Sequence, residues 1–159
     1  MNDIVNHIVN DTAPRYVTPK SGTNFFNDTV GRLAKLGVSV YGSRVLYVRG
    51  RKSGEWRATA VNPLTVGGER YLVAPRGNTQ WVRNLRAANG EGELHLGRKT
   101  ERFTATELGD DDKPAVLRAY LRKWKIEVGV FFDGVDAKAP EEKLRAIAPG
   151  YPVFRLTAR

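Results

Sequence analysis

The stretch "SRVLYVRGRKSGEWRATAVNPLTVGGERYLVAP", residues 43–75, decides the fold. Val45 and Tyr47 alternate with Leu46 and Val48, and a period of two predicts a strand. The glycine-bounded turn Gly50–Gly54 stops it. "RATAVNPL" then predicts a second strand, "VGGE" a hairpin-type turn, and "RYLVAP" a third strand. Downstream, "TQWVRNLRAA" predicts a short helix with Thr79 as N-cap and Trp81 and Leu85 spaced i, i+4. "GELHLG" and "TERFTATEL" form a further hairpin around "GRK". "DDDKPAVLRAYLRKWKIEVGVFF" predicts a long helix whose acidic start complements the helix dipole. "APEEKLRAIA" predicts a brief helix and "YPVFRLT" a last strand. Short strands joined mostly by hairpins point to a mainly β (α+β) chain. The expectation is a small barrel of about six antiparallel strands with flanking helices.

Upstream of that core, residues 1–22 are polar, contain Pro14 and Pro19, and read as a flexible N-terminal arm. "TNFFNDTVGRLAKL" places Phe26, Val30, Leu33 and Ala34 on one helical face, the pattern of a core-facing or lipid-facing amphipathic helix. The chain of 159 residues suits one domain, here residues 23–159, and shows no repeat, linker or low-complexity tract. Its 41% hydrophobic and 27% charged residues are ordinary for a globular protein, but its formal net charge of +9 is not. An excess of that size attracts polyanions: nucleic acid, anionic lipid, or a small ligand rich in phosphate and carboxylate. The absence of cysteine excludes disulfides, thiol nucleophiles and Cys-based metal centres. The opening "MNDIVNHIVNDTAPRY" has neither the cationic nor the apolar region of a signal peptide, so a cytoplasmic location is expected. No apolar run approaches the roughly 18 residues of a membrane-spanning helix.

Several familiar sites are excluded by spacing. "GRKSG" is too short for a phosphate-binding loop of the GxxxxGK[ST] type and precedes no helix. No GxGxxG opens a βαβ unit, and no GxSxG elbow occurs. The two histidines, His7 in the arm and His95 in a strand, do not suggest a catalytic triad, and no metal site is expected. What remains is the basic turn. Arg49, Arg51, Lys52 and Arg57, with the Ser53 hydroxyl and the amides near Gly50 and Gly54, supply the charge-assisted donors that phosphate oxygens need. Solvated hairpin tips are often basic too. A second turn, "PRGN", places Arg76 and Gly77 at a strand end before a helix whose first amides face an anion. Two such corners suggest one shared anionic ligand. Trp81, Trp124, Phe131 and Phe132 offer a flat wall for the rest of it, although aromatic residues at helical spacing also serve as plain core.

Three segments together, "GRKSGEWRATAVNPL" (50–64), "YLVAPRGNTQWVRNL" (71–85) and "GELHLGRKTERFTATEL" (92–108), resemble the deazaflavin-dependent nitroreductase family, within the flavin/deazaflavin oxidoreductases of split β-barrel fold. With the helix "DKPAVLRAYLRKWK" the resemblance covers roughly residues 23 to 157. It implies an oxidoreductase that binds reduced coenzyme F420, a tricyclic deazaflavin carrying a ribityl phosphate and an acidic tail. By that resemblance Arg51, Lys52 and Ser53 hold the phosphate, and Arg57 and Arg76 reach the phosphate or the tail. Asn62, Pro63, Val73, Ala74 and Pro75 line the ring along two strands, and Gly77 is a further cofactor-binding residue. Trp81, Trp124, Phe131 and Phe132 form the substrate pocket. Arg76 replaces a lysine of the nitro-drug-activating pattern, and aromatic residues replace its tyrosines, which argues against bicyclic nitroimidazoles as substrates.

The implied reaction is hydride transfer from the deazaflavin C5 to a quinone, activated alkene or nitro compound. No catalytic base is evident by inspection, and Tyr120 is the one candidate proton donor. FMN is the alternative cofactor, because related split barrels bind it. Nucleic-acid binding is not expected, since neither a stacking-aromatic stripe nor a reader motif accompanies the charge. Peripheral membrane contact through the 23–36 helix is compatible with a lipid quinone substrate. The protein is expected as a monomer or a homodimer.

Overall fold

A computed structural model describes residues 14–18 and 42–159. The amphipathic helix expected over residues 23–36, and most of the arm, lie outside the described residues. Seven strands form one antiparallel sheet: β1 (Arg44–Arg49), β2 (Trp56–Val61), β3 (Leu64–Val66), β4 (Glu69–Val73), β5 (Glu91–Leu96), β6 (Lys99–Glu107) and β7 (Val153–Ala158). Their order across the sheet is β2-β1-β5-β6-β7-β4-β3. Among the described residues the α-helices are α1 (Gln80–Ala87), α2 (Pro114–Val128) and α3 (Glu141–Ile147).

The sequence suggests six strands and the structure has seven, because "RATAVNPL" is two. Strand β2 ends at Val61, and β3 begins after Asn62 and Pro63. Proline has no N–H to continue a ladder, so the chain turns a corner there. That corner shapes the protein. β2 and β3 are the two opposite edges of the sheet, yet only Asn62 and Pro63 separate them in the chain. The sheet must therefore curl until its edges meet at one short corner, which makes a split half-barrel and leaves a gap between the edges.

The remaining turns follow the sequence. Gly67 and Gly68 close the β3–β4 hairpin with φ of 57° and 81°, a left-handed pair that glycine adopts without steric cost. The aspartates behave differently from expectation. Asp110–Asp112 form a 3-10 turn of their own, and Lys113 occupies the N-cap position of α2 with no side-chain cap bond. Lys113 is 4% exposed; its Nζ reaches Asp110 Oδ1 at 2.7 Å and donates to the Ala148 carbonyl at 3.0 Å. The acidic turn thus neutralises a buried lysine.

Two apolar clusters flank the sheet. One packs Leu46, Val48, Leu72, Leu94 and Phe154 against Val82 and Leu85 of α1. The other packs Leu64, Val73 and Val153 against Leu117, Leu121 and Trp124 of α2 and Leu144 of α3.

Candidate functional site

A cavity of about 1060 Å³ opens along the gap beside β2. Its basic end is the β1–β2 turn. Gly50 N–H donates to the Glu55 carbonyl and Gly54 N–H to the Gly50 carbonyl, each at 2.8 Å, which folds Arg51, Lys52 and Ser53 into a tight loop on the cleft wall. Strand alternation then separates the cations. Arg51, Lys52 and Arg57 line the cleft, whereas Arg49 turns away and stacks on Trp56 at 4.1 Å, its Nη1 bonded to the Gly54 carbonyl.

Arg51 is held by α1. Asn84, 6% exposed, accepts at Oδ1 from both the Arg51 amide (3.1 Å) and Arg51 Nη1 (2.8 Å), and Gln80 Oε1 accepts from the same Nη1 at 3.0 Å. Those partners are neutral, so the positive charge of Arg51 stays uncompensated. Among the described residues neither Lys52 nor Arg57 has an ion-pair partner, and Glu127 is the one carboxylate on the cleft wall. A cluster of cations facing one acid attracts an anion, because a cleft lined by one sign of charge focuses its field.

Arg76 lines the same cleft from the loop after β4. The two cationic corners therefore open into one cavity. A piece of the arm completes the wall: Tyr16, Val17 and Thr18 face the cavity. Val17 N–H donates to the Arg76 carbonyl at 2.8 Å, and Arg76 Nε donates to the Val17 carbonyl at 3.1 Å. Arg15 anchors this strap from behind. Its guanidinium donates to the carbonyls of Pro75 (2.8 Å), Phe131 (2.8 Å) and Gly150 (3.3 Å) and lies 4.3 Å above the Tyr151 ring. Gly77 makes the approach possible. Its φ is +83°, and a Cβ there would stand 2.1 Å from the Arg15 carbonyl oxygen.

Apolar and aromatic residues share the cleft walls: Val61, Val73, Trp81, Val128 and Phe131 line it. Tyr120 lines it while only 1% exposed. Burial pushes its hydroxyl above the ordinary tyrosine range; a hydrogen bond from Asn62 acts against this and the Glu127 charge adds to it. The Asn62 amide is oriented by Ser43, whose Oγ donates to Asn62 Oδ1 at 2.9 Å. Its NH2 group is thereby left for Tyr120. The tyrosine is held as a neutral O–H donor at the cleft floor. A Tyr120→Phe variant should fold normally, and wild type should show no pH–rate limb from this group between about pH 6 and 9. A limb in that range that vanishes in the variant would show the hydroxyl to titrate there.

A model of the F420H(2)-dependent quinone reductase family matches residues 20–140. The chain belongs to that family. It is an F420-dependent oxidoreductase, and coenzyme F420 is the cofactor of the family. No curated protein matches the sequence. Among solved structures, one described as a domain-swapped dimer is 18% identical over 86% of this chain and 100% of its own, with a TM-score of 0.52. The conserved hypothetical protein Rv2991 from Mycobacterium tuberculosis is 15% identical over 90% of this chain and 86% of its own, with a TM-score of 0.51. An F420-H2 dependent reductase, FDR-A, is 18% identical over 73% of this chain and 94% of its own, with a TM-score of 0.49. At such identities the first two speak for the split-barrel fold alone.

Not every residue singled out from the sequence of this F420-dependent reductase lies on the cleft. Arg51, Lys52, Ser53, Arg57, Asn62, Val73, Pro75, Arg76, Trp81, Tyr120 and Phe131 do. Ala74 and Pro63 are buried behind the wall, Gly77 lies beneath the strap, and Trp124 and Phe132 are each 1% exposed in the core. Helical spacing cannot tell a core-facing ring from a cleft-facing one, because α2 has one face on each. No motif in the sequence marks Asn84, Gln80 or the strap residues. A signal for Asn84 existed: a short polar side chain inside a helix is unfavourable unless it bonds something specific. His95 bonds Glu93 at 2.8 Å on β5, away from the cleft. Among the described residues no helix is long and apolar enough to cross a membrane, and no cluster of three or more potential ligands is placed to hold a metal.

The residues present fit F420. A buried hydroxyl without a partner, Thr79 Oγ1, and the uncompensated cations line the cavity, as a phosphate and acidic tail require, and apolar and aromatic side chains line it too, as a flat ring requires.

Proposed function

We propose that this protein reduces a small electrophilic acceptor, foremost a quinone, at the expense of reduced F420. Activated alkenes and nitro compounds make the same electronic demand. The observation that carries the reading is the single cleft that Arg51, Lys52, Arg57 and Arg76 line together with apolar and aromatic side chains. When bound, the reduced deazaflavin supplies a hydride from C5. The chain itself binds, orients and shields. Arg51, Lys52 and Ser53 hold the phosphate, with Arg51 braced by Asn84. Arg57 and Arg76 reach the phosphate or the tail carboxylates. Asn62, Val73 and Pro75 border the ring, with Pro63, Ala74 and Gly77 shaping the wall behind it. Trp81 and Phe131 flank the acceptor, while Trp124 and Phe132 support them from the core. The Tyr120 hydroxyl is the proton donor nearest the acceptor end, and it stays protonated through the neutral range.

The test is direct. Purified protein should quench or shift the fluorescence of F420 on binding and should accelerate the oxidation of F420H2 by a soluble quinone such as menadione. FMN in place of F420 should not bind comparably. Failure to bind F420 at moderate salt would overturn the reading.

A further inference from the structure

We propose that the first turn of α1 is an oxyanion site, with the Thr79 hydroxyl as its buried ligand. The proposal rests on the reading of the cleft as the F420 site and assigns one acidic group of that cofactor to a donor set beyond the basic side chains.

Thr79 stands at the N-cap of the eight-residue helix α1, with extended backbone (φ −72°, ψ 174°). A threonine there normally turns its oxygen back onto an amide of the first turn and closes the helix end. Here it makes no such bond. The residue is 8% exposed, its Oγ1 is buried without any hydrogen-bond partner, and it lines the cleft. Leaving a buried hydroxyl unpaired destabilises a fold, so an orphan of this kind calls for an occupant. The first-turn amides also lack intrahelical acceptors, and the helix dipole gives that end partial positive charge. Hydroxyl and amides together are donors. An oxyanion satisfies all of them; a cation or a neutral acceptor-poor group does not.

The surroundings agree. Arg51 reaches over the first turn to Gln80 Oε1, and Arg76, just upstream of the helix, lines the same cavity. Arg51 thus stands at the helix N-terminus, and Arg76 opens into the same cavity from the loop before it. Glu127 lines the cleft as well, from the far end of α2. The ligand chemistry is a phosphate or a carboxylate of the cofactor; both are oxyanions, and the experiment separates them.

Thr79→Val removes the hydroxyl and little else. In the unliganded protein its melting temperature should equal or exceed that of wild type, because no bond is lost. Its affinity for F420 should fall by about tenfold or more, the range for a hydrogen bond to a charged group, and Thr79→Ser should restore it. The deazaflavin riboside, which has neither phosphate nor tail, should bind both proteins equally. If the riboside phosphate shares the loss, the oxyanion is the phosphate; if only full-length F420 does, it is a tail carboxylate. Equal binding of F420 by wild type and Thr79→Val overturns the proposal. So does a lowered melting temperature with the riboside weakened alongside F420, since that marks an ordinary structural role. If wild type fails to bind F420 at all, the functional reading falls separately. Inorganic phosphate then decides: shifts of the Gln80 and Trp81 amide resonances in wild type, absent in Thr79→Val, keep the site, and no shifts remove it.

Discussion

Replacing Arg51 and Lys52 together by alanine weakens F420 binding by about 3 kcal/mol or more, roughly a hundredfold, if each makes a charged hydrogen bond of about 1.5–3 kcal/mol. Both side chains line the cleft, and Arg51 is presented there by Asn84 and Gln80. The fold should survive the change, because Asn84 Oδ1 keeps its bond from the Arg51 backbone amide, which alanine supplies equally well. Arg49→Ala is the informative control. It removes a positive charge from the same turn, but this guanidinium stacks on Trp56 outside the cleft. If phosphate contact is what matters, Arg49→Ala leaves affinity nearly intact and the double variant does not. If the general field of a chain with net charge +9 is what matters, the variants weaken binding in proportion to charge removed, and all lose the effect in high salt. Equal affinity of the double variant and wild type, measured by fluorescence titration, would refute the phosphate assignment.

Trp124→Ala should cost about 3–5 kcal/mol of stability, the usual range for deleting a large buried aromatic side chain. Trp124 is 1% exposed and sits in the cluster that joins α2 to β3, β4 and β7. Against the roughly 5–15 kcal/mol that a domain possesses, that is a substantial share. In a chain of this size it corresponds to a fall in melting temperature of roughly 10 °C. The helix also leaves regular geometry at this residue (φ −115°, ψ 17°), so its ring is held by packing and not by the helix alone. The indole N–H has no partner, and its burial opposes stability. Trp124→Phe should accordingly lose much less than Trp124→Ala, since the smaller cavity is offset by removal of the orphaned donor. Urea denaturation of the three proteins checks both statements. A Trp124→Ala protein as stable as wild type, but with altered acceptor preference, would return this residue to the cleft wall.

Local chemistry made much of this protein legible. The alternation in "SRVLYVRG" and the glycine turns foretold strands and hairpins, since side-chain period and backbone freedom act over a few residues. The basic turn raises the expectation of an anion for the same reason: charge needs no tertiary context to be read. Trp124 and Phe132 show where such reading stops. An aromatic residue at helical spacing is apolar on the core side and on a cleft side alike. Asn84 shows the converse, a polar residue whose partner lies across the fold and is invisible along the chain.

Strand pattern, turn positions and the preference for an acidic ligand were thus written in the residues themselves, because each depends on neighbours only a few bonds away. The number of strands turned on Pro63, whose missing N–H breaks one apparent strand into the two edges of a sheet. Whether Arg51 and Arg76 serve one ligand was a question of closure: only the curling of the sheet, which brings its first and last edges to a shared corner, sets the two turns and the strap from Tyr16 to Thr18 around a single cavity.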